Sequence, residues 1–240
     1  LTILAFGYYY NKPLGNSLKK CSALTHITFG CQFNQPLGDS LNNCTALTNI
    51  VFGNCFDHYL DSSLNNCTSL THITFGRDFN NPLDNSLNNC TLLTYLNFGQ
   101  DFNHSLDNFL NNCSSLTHLG LGYHFNQKVV LPYNIRSLSL SCNNSSLIEN
   151  LSDAIEELEL GYNFNLELDN LPSSIKKITF HKRSDYNKKL NCLPNGLEIL
   201  QLPYDYEEQI ENIPPGLTKL VCSENYPYKK DFSNILIENY

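Results

Sequence analysis

A 23-residue period constrains this chain more than any other feature of it. Five successive units begin at Leu1, Leu24, Leu47, Leu70 and Leu93. They follow the pattern L-T-x-[IL]-x-F-G-x-x-F-N-x-x-L-x-x-x-L-x-x-C-[TS]-x. Six looser units begin at Leu116, Ile135, Ile155, Ile175, Leu197 and Leu217 and are mostly shorter, giving eleven in all. A unit this short cannot bury its own apolar face; stacked copies bury it for one another. The period therefore predicts one solenoid over residues 1–240, with strict units in 1–115, divergent units in 116–230 and a C-terminal cap in 231–240.

Within a unit the segment L-x-x-[IL]-x-F reads as a short strand. In the unit beginning at Leu70, the side chains of Leu70, Ile73 and Phe75 are predicted to point inward and those of His72 and Thr74 outward, the period of two that a pleated strand imposes. Gly76 is expected to turn the chain with a backbone angle other residues avoid. Phe79 then returns to the core. Asn80 follows it, and its amide can serve unpaired backbone groups of the neighbouring coil. Stacked copies of that position predict an asparagine ladder through Asn11, Asn34, Asn80, Asn103, Asn126 and Asn165, with Asp57 substituting once.

The return stretch differs between the halves. In the strict units Leu87 and Cys90 lie three apart, as on one face of a short helical or 3₁₀ turn. Later units carry Leu131-Pro132, Leu171-Pro172, Leu193-Pro194 and Ile213-Pro214, which predict an extended return because proline fixes φ and donates no hydrogen bond. Cys21, Cys44, Cys67, Cys90 and Cys113 recur with the period, so they are expected to stack as buried thiols rather than pair as disulfides. Reduced thiols point to an intracellular compartment. Asn43-Cys44-Thr45, Asn66-Cys67-Thr68 and Asn89-Cys90-Thr91 match the glycosylation acceptor pattern, which an Asn-rich repeat produces by coincidence.

A net charge of −8 disfavours a general phosphate-binding surface and so nucleic acid. No run of about 18 apolar residues exists, so no transmembrane helix and no membrane partner are expected. Leu1–Tyr10 lacks the basic region and cleavage site of a signal peptide. The chain starts inside a repeat, which leads us to expect further sequence upstream.

The string Leu24-Thr-His-Ile-Thr-Phe-Gly30 followed by Phe33-Asn-Gln-Pro-Leu37 resembles the FNIP repeat, a leucine-rich-repeat subfamily found in social amoebae and giant DNA viruses. The segment L-x-x-C-[TS]-x-L is also similar to cysteine-containing repeats of bacterial surface proteins. The resemblance implies a parallel β-sheet on a concave side, with short helical or 3₁₀ turns and extended Leu-Pro segments on the convex side. The unit beginning at Ile135 departs from it, lacking both the glycine and the Phe-Asn pair. Tyr186, Tyr206 and Tyr226 stand near the second phenylalanine position of their units. FNIP repeats often follow an F-box. None is present in these residues; with one upstream, the resemblance implies a ubiquitin-ligase adaptor whose repeats choose the substrate.

Function in a solenoid resides on outward strand positions. One such row reads His26, Asn49, His72, Tyr95 and His118, and farther along it carries Glu157 and Lys177, with Glu159 beside them. Three readings of the first five residues stand: a ladder that stabilises the sheet, a protein-binding face with flat amphipathic contacts, and a metal site, which a single linear row fits poorly. Opposite charges at Glu157 and Lys177 read as a solvated cross-strand pair. No phosphate-binding loop, nucleophile elbow or metalloprotease motif is present. The expected function is a non-catalytic scaffold that binds a protein partner on the concave sheet and needs no cofactor. The alternatives are the substrate-recognition part of an F-box adaptor and a secreted adhesin. The apolar first unit, with Ile3 and Tyr8-Tyr9-Tyr10, is an edge that missing sequence or a second copy in a homodimer would cover.

Overall fold

The computed structural model describes the backbone of residues 1–240 and the side chains of all but Asp107 and Asn108. It divides into two compact units, Leu1–Asn134 and Ile135–Tyr240.

The first unit is a parallel sheet in chain order: β1 Ile3–Ala5, β2 His26–Thr28, β3 Asn49–Val51, β4 His72–Thr74, β5 Tyr95–Asn97 and β6 His118–Leu121. Every pair keeps the same register, so Ile3, His26, Asn49, His72, Tyr95 and His118 stand side by side. The strands are short because each sequence alternates for only a few residues before its glycine. Their central residues Ile27, Ile50, Ile73, Leu96 and Leu119 are buried. Behind them run two phenylalanine columns. Phe6, Phe29, Phe52, Phe75 and Phe98 stack at 5.1–5.5 Å between centroids, and Phe33, Phe56, Phe79, Phe102 and Phe125 at 6.1–6.2 Å. These offset parallel stacks add to the area term that burial supplies.

The asparagine ladder is present. Asn11 Oδ1 accepts from the backbone N–H of Asn34 at 2.9 Å, Asn34 from Asp57 at 3.1 Å, Asp57 from Asn80 at 2.9 Å, Asn80 from Asn103 at 3.0 Å and Asn103 from Asn126 at 2.8 Å. Aspartate substitutes because only the acceptor oxygen is needed.

The glycine after each strand has a different reason from the one its position suggested. The backbone at Gly76 is not left-handed; the positive-φ glycines are Gly15 and Gly38, in the return stretch. A Cβ on Gly76 would stand 2.7 Å from Asn54 Cα, with the Gly53 carbonyl nearer still. Hydrogen bonding of the neighbouring coil, through Cys55 N–H to Cys31 O at 2.9 Å and Asp78 N–H to Asn54 O at 2.8 Å, sets that approach. In the return stretch the left-handed site is filled by Gly15 (φ 52°), Gly38 (φ 51°), Asp61 (φ 45°) and Asp84 (φ 42°). The turns there bond three residues back, as in Ser40 N–H to Leu37 O at 3.1 Å and Cys44 N–H to Leu41 O at 2.9 Å. A short helix, α1 at Asp107–Leu110, takes this place once.

The second unit is again parallel and in chain order: β7 Ser137–Leu140, β8 Glu157–Leu160, β9 Lys177–Phe180, β10 Ile199–Gln201, β11 Lys219–Cys222 and β12 Leu236–Asn239. Helix α2, Ser145–Glu149, buries Leu147 and Ile148. This unit has an aromatic column of its own, Phe164, Tyr186, Tyr206 and Tyr226 at 6.0–6.3 Å, with the tyrosines near the second phenylalanine position as the sequence indicated. Tyr206 and Tyr226 hydroxyls donate to Lys188 O at 3.0 Å and Glu208 O at 2.9 Å. The Tyr186 hydroxyl is buried with no hydrogen-bond partner among the described residues. Although the repeat beginning at Ile135 lacks the Phe-Asn pair, Asn143 takes the ladder role, its Oδ1 accepting from Asn165 N–H at 2.8 Å. The last residues do more than cover the preceding coil. After a 3₁₀ turn that buries Phe232, β12 pairs in register with β11 as a further strand.

Candidate functional site

The outward side chains of the two sheets are the candidate site, and register decides which of them meet. In the first unit the row is Ile3, His26, Asn49, His72, Tyr95 and His118, with Ala5, Thr28, Val51, Thr74, Asn97 and Gly120 beside it. Neither row holds a lysine, arginine, aspartate or glutamate. His26 and His72 are exposed, and Asn49, Tyr95 and His118 are half-buried. The Tyr95 ring lies between two imidazoles, 5.5 Å from His72 at 21° and 4.1 Å from His118 at 8°. Asn49 separates His26 from this stack.

One threonine stands just before the strand in each repeat of the first unit, and two of these orient His26 and His72. Thr25 Oγ1 donates to Thr2 O at 2.9 Å, Thr48 to Thr25 O at 3.0 Å, Thr71 to Thr48 O at 3.1 Å, Thr94 to Thr71 O at 3.1 Å and Thr117 to Thr94 O at 3.2 Å. A hydroxyl has one proton, so Thr25 and Thr71 have only acceptor capacity left for a neighbour. His26 Nδ1 lies 2.9 Å from Thr25 Oγ1, and His72 Nδ1 lies 2.8 Å from Thr71 Oγ1. Nδ1 therefore carries the hydrogen and donates in both rings. In the neutral ring Nε2 is then the acceptor, on the side away from the threonine. Sequence reasoning missed this threonine row, although its signal was the invariant L-T step that opens the strict repeats.

In the second unit the predicted residues meet as charges. Glu157 lies 3.5 Å from Lys177 on the adjacent strand. Glu156 lies between Arg136 at 3.8 Å and Lys176 at 4.0 Å. Ser139 Oγ donates to Glu159 at 2.7 Å. Each charged partner is substantially exposed, so these pairs contribute little stability individually. Among the described residues, no group of three or more His, Cys, Asp and Glu side chains is arranged to hold a metal ion, and no helix is long and apolar enough to cross a membrane.

The cysteine column lies in the return stretch of the strict repeats. Cys44, Cys67 and Cys90 are buried, and all ten cysteines are free thiols. Burial, with neighbouring thiols adding to it, pushes Cys67 up to about 12, and burial pushes Cys90 up to about 11. Such thiols are poor nucleophiles. The sequon asparagines are committed to structure. Asn43, Asn66 and Asn89 donate Nδ2 hydrogens to Lys19 O, Asn42 O and Asn65 O at 2.8–3.1 Å.

Residues 15–119 match the BspA type leucine rich repeat region in six copies, and residues 143–183 match the FNIP repeat. Among solved structures, CroV588 of the giant virus CroV, described as a circular leucine-rich-repeat protein, is 30% identical over 94% of this chain and 40% of its own, with a TM-score of 0.53. The chain thus spans about 40% of that relative's length. An internalin from Listeria monocytogenes is 19% identical over 93% of this chain and 69% of its own, with a TM-score of 0.60. TLR13, in its complex with ssRNA13, is 12% identical over 93% of this chain and 36% of its own, with a TM-score of 0.64. The last two show a shared fold alone. No curated protein sequence matches the chain.

Proposed function

Because this chain is a leucine-rich-repeat solenoid carrying BspA-type and FNIP repeats, we propose that it is a non-catalytic scaffold that binds a protein partner on its outward strand face. The contact residues are His26, Asn49, His72, Tyr95 and His118 in the first unit and Glu157, Glu159 and Lys177 in the second. The observation that carries this reading is the His72–Tyr95–His118 stack on a charge-free strand face. Flat amphipathic side chains held rigid before binding lose little entropy on contact, and interface cores are depleted of charge and enriched in aromatic residues. The outward Nε2 acceptors of His26 and His72 add polar specificity for N–H or O–H donors.

The substrate-recognition part of an F-box adaptor is the specific form of this role that the FNIP resemblance implies. The stacked column of free thiols suits a reducing compartment, so the scaffold is assigned inside the cell rather than to an adhesin at the surface. A second reading rests on the same rings: their stacking also stabilises the sheet, as cross-strand pairs do.

Partner capture from host lysate with the wild-type chain, a His72→Ala/Tyr95→Ala variant and an Asn42→Ala control distinguishes the two. The binding reading expects partners to be retained by the control and lost by the double variant, with the circular dichroism of all three alike. Equal retention by all three would show that the row is structural.

A further inference from the structure

Cys31 and Cys55 do not belong to the buried column. They sit in the turns just beyond β2 and β3, on adjacent coils, and both are half-exposed. Cys55 N–H donates to Cys31 O at 2.9 Å. A backbone N–H···O bond between two residues leaves their Cα atoms roughly 5–6 Å apart, inside the roughly 4.4–6.8 Å that a disulfide spans. The Cys55 thiol has the Asp78 carboxylate and the Cys31 thiol as electrostatic neighbours, and the Cys31 thiol neighbours the Tyr8 hydroxyl. Within the column Cys44, Cys67 and Cys90 are closed off from solvent, and only its end members Cys21 and Cys113 are half-exposed.

We propose that Cys31 and Cys55 form a redox modification site, closing to a disulfide in the presence of hydrogen peroxide and reopening with a dithiol reductant. In the first step the Cys31 sulfur, as thiolate, attacks one peroxide oxygen. The O–O bond breaks, a sulfenic acid forms, and the departing hydroxide takes up the proton that Cys31 released, leaving as water. In the second step the Cys55 sulfur attacks the sulfenyl sulfur and the S–O bond breaks. The Asp78 carboxylate takes the Cys55 thiol proton and passes it to the departing hydroxide as a second water. Two thiols are oxidised and one peroxide is reduced to two waters. Burial, with the Asp78 carboxylate adding to it, pushes the Cys55 thiol up, so Cys55 ionises less readily and serves as the resolving thiol rather than the first attacker. The bridge staples the second coil to the third beside the strand face that carries His26.

The test treats the intact chain with hydrogen peroxide, alkylates remaining thiols and maps peptides by mass spectrometry, alongside Cys31→Ser and Cys55→Ser variants checked for folding by circular dichroism. The expected result is an intramolecular Cys31–Cys55 linked peptide at least tenfold above any Cys21–Cys44 linkage. It should be reversed by dithiothreitol and absent from both variants. The proposal is overturned if Cys31 and Cys55 end as separate sulfinic acids, if the linkage joins two chains, or if both remain thiols under peroxide that oxidises the exposed Cys192.

Discussion

Replacing Gly76 by alanine is the sharpest perturbation this structure offers. The added methyl would stand 2.7 Å from Asn54 Cα, where an ordinary contact begins near 3.4 Å, so the two coils must separate by more than half an ångström. The obstacle is backbone on both sides, and no rotamer relieves it. The hydrogen bonds that cross this gap are Asp78 N–H to Asn54 O at 2.8 Å and the ladder bond from Asn80 N–H to Asp57 at 2.9 Å. Overpacking of a tight contact costs about 1–3 kcal/mol, and two weakened hydrogen bonds add about 1 kcal/mol each. The expected loss is therefore about 3–5 kcal/mol, a large share of the roughly 5–15 kcal/mol that stabilises a typical domain. Gly7 occupies the same place in the first repeat, yet a Cβ there meets nothing within 4 Å. Urea unfolding followed by far-UV circular dichroism compares Gly76→Ala with Gly7→Ala. A large fall in midpoint is expected for the first and a small change for the second. Equal shifts would refute the close-approach argument and leave an intrinsic conformational preference for glycine as the cause.

Other expectations follow from single positions. Tyr186→Phe removes a buried hydroxyl that has no partner among the described residues, so stability should hold or rise, whereas Tyr206→Phe breaks the 3.0 Å bond to Lys188 O and should cost about 1 kcal/mol; paired thermal melts decide, and the reverse order would be inconsistent with this hydrogen-bond network. Gly38 and Asp61 occupy the same left-handed site, so Gly38→Ala should cost about 1–2 kcal/mol while Asp61→Gly should be neutral or stabilising, as urea midpoints would show. Burial pushes Cys67 up to about 12 and Cys90 up to about 11 in the folded chain, against 9.0 for an unperturbed thiol. Their folded values are raised, so their contribution is complete below pH 9 and declines as pH climbs toward 11. The slope is about 1.4 kcal/mol per pH unit for each thiol. Urea midpoints at pH 8, 9 and 10 should fall for the wild type and fall less steeply for Cys67→Ala/Cys90→Ala, with Cys113 keeping part of the slope; parallel curves would rule out Cys67 and Cys90 as a source.

Much of the fold was legible in the residues because the repeat states each position several times. The inward set Leu70, Ile73, Phe75, Phe79 and Leu87 is buried as the alternation implied, and the Asn11-to-Asn126 ladder forms bond by bond. Information that depends on the neighbouring coil was harder to read. Gly76 carries no local mark of the approach of Gly53 O, so its role was assigned to a turn. Asn143 lacks the preceding phenylalanine, which hid its place in the ladder, and β12 lacks the full motif because only its strand joins the sheet. At the candidate site the row and its register were legible, since equal spacing dictates who stands beside whom. The tautomers of His26 and His72 were not, because they follow from a threonine hydroxyl already spent on the previous repeat.

The ladder also has a direction. Each rung offers its oxygen to the N–H of the repeat that follows, and the threonine row sends its hydroxyls the opposite way, to the repeat before. Nearly all of these bonds in the first unit join residues 23 or 24 apart. A duplicated block of 23 residues therefore arrives with every donor and acceptor its new neighbours require, wherever in the strict array it is inserted. A block one residue longer or shorter leaves a rung unmatched and turns a core side chain outward. Growth and shrinkage of the gene by whole repeats are thus structurally mild events, while small insertions within a repeat are severe, and array length is a quantity that recombination can vary without redesigning the protein.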